Sequence, residues 1–116
     1  MSNAFASAGG GKNIITIPFS RSVRTENSTY GGGSSLDSNY FSSSDSYTNV
    51  KTAKLTISSA YSASISYSKN GSTWSSWGNG QTIDVNGTLY VSMSGSANWN
   101  ANSTGYISGT IELKTK

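Results

Sequence analysis

Apolar and hydroxylated residues alternate along much of this 116-residue chain. The clearest run covers residues 61–68, in which Tyr, Ala, Ile and Tyr alternate with four serines. Similar alternation is found in residues 15–25, 50–58, 89–94 and 107–114. A period of two predicts strands with one buried face, and no 11-residue window has helical periodicity. The pattern therefore predicts an all-β protein.

Turn residues divide these runs into short strands. Asn70-Gly71 and Asn86-Gly87 predict two-residue hairpin turns, because Asn-Gly readily adopts the positive φ that such turns need. Asn79-Gly80 is expected to end the tryptophan-containing segment in the same way. The glycines of residues 31–33 and the serines of residues 42–46 predict adaptable loops or weak edge segments.

About eight short strands joined by hairpins predict a single antiparallel β-sandwich over residues 11–116, with a small barrel as the alternative. Pro18, the sole proline, is expected at a sheet edge or a bulge. Residues 1–10 are expected to form a flexible segment outside the fold, in which Ser2, Asn3 and Ala4 match a cloning remnant.

The amino-acid composition excludes several kinds of catalytic and metal-binding site. Ser, Thr, Asn and Gly make up 62 of the 116 residues, and the chain contains neither Cys nor His. Disulfides, Cys or His nucleophiles, and zinc or haem sites ligated by those residues are excluded. The five acidic residues include one pair in predicted loops, Asp37 and Asp45, which is too few for a calcium site. A glycosidase needs two carboxylates that face each other across a cleft, whereas Asp84 and Glu112 lie on the polar faces of predicted strands. We therefore predict no catalytic residues, no metal and no cofactor.

Aromatic residues supply the candidate binding contacts. Trp74 and Trp77 are three residues apart and should face opposite sides of a strand, so at most one belongs to the core. Tyr67 lies across the predicted Asn70-Gly71 turn, and Trp99 lies in an asparagine-rich loop. These four are candidates for contact with a sugar, a membrane interface or another subunit. The alternative is packing, with one Trp in the core and one covering the end of the sandwich.

The net charge of +3 rests on eight scattered basic residues, so nucleic acid is not an expected partner. Solubilising surface charge is the simplest interpretation. Weak attraction to an anionic membrane or wall polymer is the functional one, with Arg21, Arg24 and Lys69 as candidate contacts. The chain does not start like a secretory signal, and no stretch is apolar enough to predict a transmembrane helix.

Three segments of the chain resemble a known family: GGGKNIITIPFSRSV near the start, SASISYSKNGSTWSSWGNGQTI in the centre and GYISGTIELKTK at the end. Over residues 9–116 the chain is similar to prophage proteins of phage lytic cassettes, the family that includes XepA. The resemblance implies a C2-like antiparallel β-sandwich, assembly into ring-shaped pentamers, and a location in the host cytoplasm or at the cytoplasmic face of its membrane. Larger relatives carry an additional membrane-directed domain, for which this chain has no room.

The leading expectation is a non-enzymatic, homopentameric ring accessory to lysis, with weak membrane-surface association strengthened by multivalency. In such a ring, Tyr and Trp side chains at one sandwich edge, Trp77 among them, should contact a neighbouring subunit. The alternative is a carbohydrate-, cell-wall- or receptor-binding module of a phage structural protein. A purely structural virion component without any ligand is the third possibility.

Overall fold

The structure, a computed structural model, describes residues 13–25, 39–97 and 103–116. These residues form six strands and no helix: β1 (Ile14–Thr25), β2 (Asn39–Tyr61), β3 (Ala63–Ser68), β4 (Trp74–Ser76), β5 (Thr82–Ala97) and β6 (Ser103–Thr115). They make one open antiparallel sheet in the order β1-β6-β2-β5-β3-β4. The all-β, antiparallel prediction is confirmed, with six strands in the described residues where about eight were expected.

The longest strand, β2, changes its partner near its middle. Residues 39–54 pair with β5, whereas residues 50–61 pair with β6. The pairing shifts register around Val50, next to Asn49, whose φ is +61°. The serines of residues 42–46 therefore form an edge segment of the sheet, as one of the two predictions had it, and not a loop. Among the described residues, β5 is the one strand with which residues 42–46 pair.

The Asn86-Gly87 pair does not form the predicted hairpin turn. It lies inside the continuous strand β5, opposite the register shift of β2. The φ of Asn86 is +53°, and a β-bulge uses the same positive φ as a tight turn. Asn70-Gly71 does lie between two paired strands, but the connection from Ser68 to Trp74 is residues 69–73 and not the predicted two-residue turn. Asn79-Gly80 forms a turn, and φ is +81° at Gly71 and +84° at Gly80.

The core lies on one side of the alternating strands. The largest fully buried apolar side chains are Val50, Leu55, Leu89, Val91, Ile107 and Ile111. The predicted alternation holds in β5 and β6. It fails at Tyr61, which was expected to face inward but is 63% exposed. The chain bends at Ser62, where φ is +57°, so Tyr61 ends β2 and lies beside Tyr106 on the outer surface, with ring centroids 6.3 Å apart.

Strand β1 occupies one edge of the sheet, which accommodates Pro18 as predicted. Its inward-facing Arg21 reaches across to β2, a strand with which β1 is not paired. Arg21 Nη2 lies 3.8 Å from Asp45 Oδ2, and Arg21 Nε donates a hydrogen bond to Ser43 Oγ at 3.3 Å. The sheet is therefore curled, and strands that are not neighbours in it contact each other. No helix in the described residues is long and apolar enough to cross a membrane.

Candidate functional site

The outer face of β2, β5, β3 and β4 presents hydroxyl groups in rows that run across the strands. Residues that pair directly share one face of a sheet, with strands about 4.8 Å apart and successive rows about 6.7 Å apart. One row consists of Ser42, Ser94 and Ser64, and the next of Ser44, Ser92, Ser66 and Ser76. We call these seven residues the serine rows. They give this face an ordered array of hydroxyl donors and acceptors.

The row that follows the serine rows is partly aromatic. It consists of Ser46, Tyr90, Ser68 and Trp74. Trp74 is 41% exposed and Tyr90 is half-buried. Beside them lies an open groove of about 260 Å³, lined by Ser44, Asp45, Ser46, Gly71, Trp74 and Tyr90. We call this the Trp74 groove, and it combines two aromatic rings with several hydroxyl groups.

One wall of the groove is a tight turn between β3 and β4. Asn70 Oδ1 accepts hydrogen bonds from the backbone N–H groups of Ser72 and Thr73, at 2.8 and 2.9 Å. The buried Ser68 Oγ accepts from Gly71 N at 2.8 Å. In turns of this kind an Asn side chain takes the place of a backbone acceptor, and for this reason residues 70–73 adopt a turn. These bonds hold the turn that leads directly into Trp74.

The turn also packs against Tyr90. A Cβ atom added at Gly71 would lie 3.5 Å from Tyr90 Cζ, so the backbone of the turn is close to the ring. Tyr90 is thereby held between the turn and its own strand, β5. Both aromatic residues of the Trp74 groove are thus positioned by local structure.

Trp77 lies on the opposite side of this segment from Trp74, as their spacing predicts. It is 3% exposed and packs edge-on against Tyr67, with ring centroids 5.7 Å apart. Its indole Nε1 donates to the backbone O of Gln81 at 3.0 Å. A buried indole with its N–H satisfied serves packing, so Trp77 is corrected from a candidate contact residue to a core residue. Tyr67 is half-buried below it.

Of the candidate aromatic contacts within the described residues, Trp74 is the exposed one. Trp99 lies outside the described residues, as do residues 1–10, residues 31–33 and Asp37. Sequence reasoning missed Tyr90 and the hydroxyls of Ser44 and Ser46. The outward alternation of Tyr90 was visible, whereas residues 42–46 were predicted as loops or weak edge segments. The position of all three residues beside Trp74 depends on strand pairing.

The basic candidates differ in their surroundings. Arg21 contacts Asp45 and Ser43 and also donates from Nη1 to Ser20 O at 3.0 Å, so its charge is engaged within the fold. Arg24, three positions further along β1, is exposed, and Lys69 is exposed at the start of the β3–β4 turn. Of the three residues, Arg21 is thus seen to bridge strands β1 and β2.

The same ion pair acts on a neighbouring tyrosine. Burial raises the pKa of the Tyr47 hydroxyl, the charge of Asp45 raises it further, and Arg21 opposes the shift. Asp45 is also one of the residues that line the Trp74 groove, and its pairing with Val91 places its side chain on the inner face. Within the described ranges no group of three His, Cys, Asp or Glu residues is placed to hold a metal ion.

A second, larger groove of about 510 Å³ lies further along the same strands. Apart from serines it is lined by Tyr40, Phe41, Ala63 and Gly95. The ring of Phe41 covers Gly95, and Tyr40 is 72% exposed. This groove adds apolar surface at the beginning of β2.

Comparisons with protein-family models, with curated proteins and with solved structures found no match to this chain.

Proposed function

We propose that this chain is a non-enzymatic, self-assembling β-protein of the phage lytic-cassette type, built as a two-layer C2-like sandwich. The observation that carries the proposal is the edge formed by residues 39–49 of β2. In the described part of the chain the backbone of residues 39–47 pairs only with β5, whereas Asn49 O, at the end of the segment, accepts a hydrogen bond from Lys116 N at 3.1 Å. The other side of residues 39–47 is a row of backbone donors and acceptors that a further strand satisfies.

The chemistry of this edge favours association. Proteins protect exposed edges with Lys, Pro or inward-pointing charge. The segment 39–49 contains a single charged residue, Asp45, and no Pro, and it begins beside the exposed Tyr40. The terminal strand β1 carries Pro18, Arg21 and Arg24, and the other terminal strand, β4, is only three residues long. The segment 39–49 has fewer protecting residues than β1 and is therefore the better template for another strand.

A contact between two different edges is head-to-tail, and such contacts produce a ring when the rotation between subunits closes. The pentamer implied by the family resemblance is one such ring. The contact of Arg21 with Asp45 and Ser43, across strands that are not paired, supports the two-layer arrangement of each subunit.

A ring also repeats weak surface contacts. Lys69 and Arg24 are exposed basic residues, and several copies on one assembly add their modest attraction to an anionic surface. We propose that the assembly associates weakly with the cytoplasmic face of the host membrane. Flotation with vesicles containing phosphatidylglycerol tests this part. Binding at low salt that is lost at high salt is expected, and no binding at low salt contradicts it.

Native mass spectrometry tests the assembly. We expect one closed oligomer for the wild type and a lower mass for the double variant Ser42→Lys/Ser44→Lys, because two added charges on the edge repel an incoming strand. The matched control is Ser94→Lys/Ser92→Lys, which adds the same charges at the directly paired positions of the internal strand β5. The control should keep the wild-type mass. A monomeric wild type, or equal loss in both variants, contradicts edge-mediated assembly.

The surroundings of Trp74 support a second candidate function, that of a carbohydrate- or cell-wall-binding module. A Trp that the fold leaves 41% exposed, beside a polar groove, provides a ligand platform that core packing does not require. Binding and assembly use different features of the molecule, so each is tested separately.

A further inference from the structure

We infer that the Trp74 groove binds one neutral pyranose ring of a wall polysaccharide, and that the chain of sugars continues over the serine rows. The inference deepens the second candidate function above and is independent of the proposed assembly. The site is the Trp74 groove, the ligand class is a neutral polysaccharide, and the sugar chain runs from the groove over the serine rows.

The first argument is shape. The groove volume of about 260 Å³ is slightly below the ~300–1,000 Å³ of pockets for drug-sized ligands. It is also open, so a ligand ring can enter while the rest of its chain remains outside. The space suits one sugar ring better than a bulky or fully enclosed ligand.

The second argument is the pairing of an aromatic surface with hydroxyls. A pyranose has a flat face of C–H groups and a rim of hydroxyls, so it needs an apolar plane and polar partners together. Trp74 supplies exposed aromatic surface, and Ser44 and Ser46 lie on the same groove. A serine hydroxyl donates and accepts hydrogen bonds, as a sugar hydroxyl does.

The third argument is continuity. Ser44 belongs both to the Trp74 groove and to the serine row that includes Ser92 and Ser66. A second row, about 6.7 Å further along the strands, presents hydroxyls again. A polymer that leaves the groove along the strand direction therefore meets further hydroxyls.

The fourth argument is charge. Asp45 is the one lining residue that is charged at neutral pH, but it pairs with Val91 on the inner face, where its carboxylate lies 3.8 Å from Arg21. The residues that line the groove therefore include no basic side chain to hold a bound anion. This favours a neutral sugar over a phosphate-bearing polymer or a lipid headgroup.

The fifth argument is preorganisation. Asn70 and Ser68 hold the turn that leads into Trp74, and the turn in turn packs on Tyr90. Little ordering is needed when a ligand arrives, so less of the contact energy is lost on binding. Weak, millimolar binding of a short oligosaccharide should therefore be measurable with this protein.

Isothermal titration with the tetramer of N-acetylglucosamine and with cellotetraose, two neutral probes, tests the site. We expect at least one probe to bind, Trp74→Ala to weaken that binding at least tenfold, and Trp74→Phe to recover part of it. Ser44→Ala should weaken it about three- to tenfold, in keeping with the loss of one hydrogen bond. Tyr106→Ala is the matched control, since Tyr106 is similarly exposed on another part of the sheet and should bind as the wild type does.

Failure of both neutral probes to bind overturns the inference. So does an equal loss of affinity in Trp74→Ala and Tyr106→Ala. If inorganic phosphate or phosphatidylglycerol vesicles bind in a Trp74-dependent way and the sugars do not, the ligand of the groove is anionic and the inference is wrong. None of these results depends on the oligomer mass, so the binding site and the assembly can fail separately.

Discussion

The two faces of β2, β5, β3 and β4 are built on the same backbone but have opposite compositions. On the inner face the strands contribute Ile65, Val91 and Met93, and Trp77 follows β4 into the core. On the outer face the alternate positions are the serine rows and the Trp74 row. The backbone hydrogen bonds between strands stabilise the sheet as a whole, whereas only the side chains of the inner face contribute free energy through burial. We therefore expect folding and the proposed sugar binding to depend on different residues of the same strands.

The largest contrast is expected between the two tryptophans of one segment. Trp77→Ala should lower the free energy of unfolding by about 3–5 kcal/mol, because it removes a buried ring and leaves a cavity. Trp74→Ala should cost about 1 kcal/mol or less, since the residue is half-open to solvent. Urea denaturation followed by circular dichroism measures both.

Equal destabilisation by the two substitutions would contradict the separation of the faces. Trp77→Ala also bears on the expectation that Trp77 contacts another subunit. If the folded fraction of this variant keeps the wild-type oligomer mass, its role is limited to packing.

A smaller loss of stability is expected when one methyl group is added at Gly109, because the inner face has no room for it. A Cβ at Gly109 would overlap the carbonyl oxygen of Thr56 and lie 2.9 Å from Ile57 Cα, so the backbone of β2 would have to move. Gly109→Ala should destabilise by about 1–3 kcal/mol. Gly87→Ala is the control, because an added Cβ there meets no atom within 4 Å.

The thermal midpoint of these two variants is the measurement. Gly109→Ala should lower it by several degrees, and Gly87→Ala should leave it nearly unchanged. Similar midpoints for both would show that the close approach of β6 to β2 is absent in solution.

The smallest effect concerns the hydroxyl of Tyr47 and high pH. Burial raises the pKa of this group from 10.0, so the folded state favours the neutral phenol. The corresponding stability is present below about pH 10 and is lost as the pH rises through the higher folded value. Tyr47→Phe should make stability fall less steeply above pH 10, with no change of slope near pH 8. An unchanged slope above pH 10 would contradict the shift.

Much of the division between faces could be predicted from alternation alone. The burial of Leu89, Val91 and Met93 and the opposite orientations of Trp74 and Trp77 follow from the period of two. Asn86-Gly87 was misjudged because a bulge and a hairpin turn use the same backbone conformation. Tyr61 was misplaced because a bend at Ser62 interrupts the alternation.

The candidate site was harder to predict than the core. Ser44, Trp74 and Tyr90 belong to three different strands and come together only through the register of β2, β5, β3 and β4. Nothing in the local pattern specifies that register, since serine occupies many outward positions that could pair. Trp74 alone was identifiable, by its residue type and its spacing from Trp77.

The most direct test of the central claim is an NMR titration of the ¹⁵N-labelled protein with the tetramer of N-acetylglucosamine. The claim is that the outer face binds while the inner face only folds. We expect the indole N–H signal of Trp74 and the amides of Ser44, Tyr90 and Ser92 to shift, and the indole N–H of Trp77 to stay in place. Shifts confined to Trp77 and the core, or to the surface around Tyr61 and Tyr106, would contradict it, as would no shift at all.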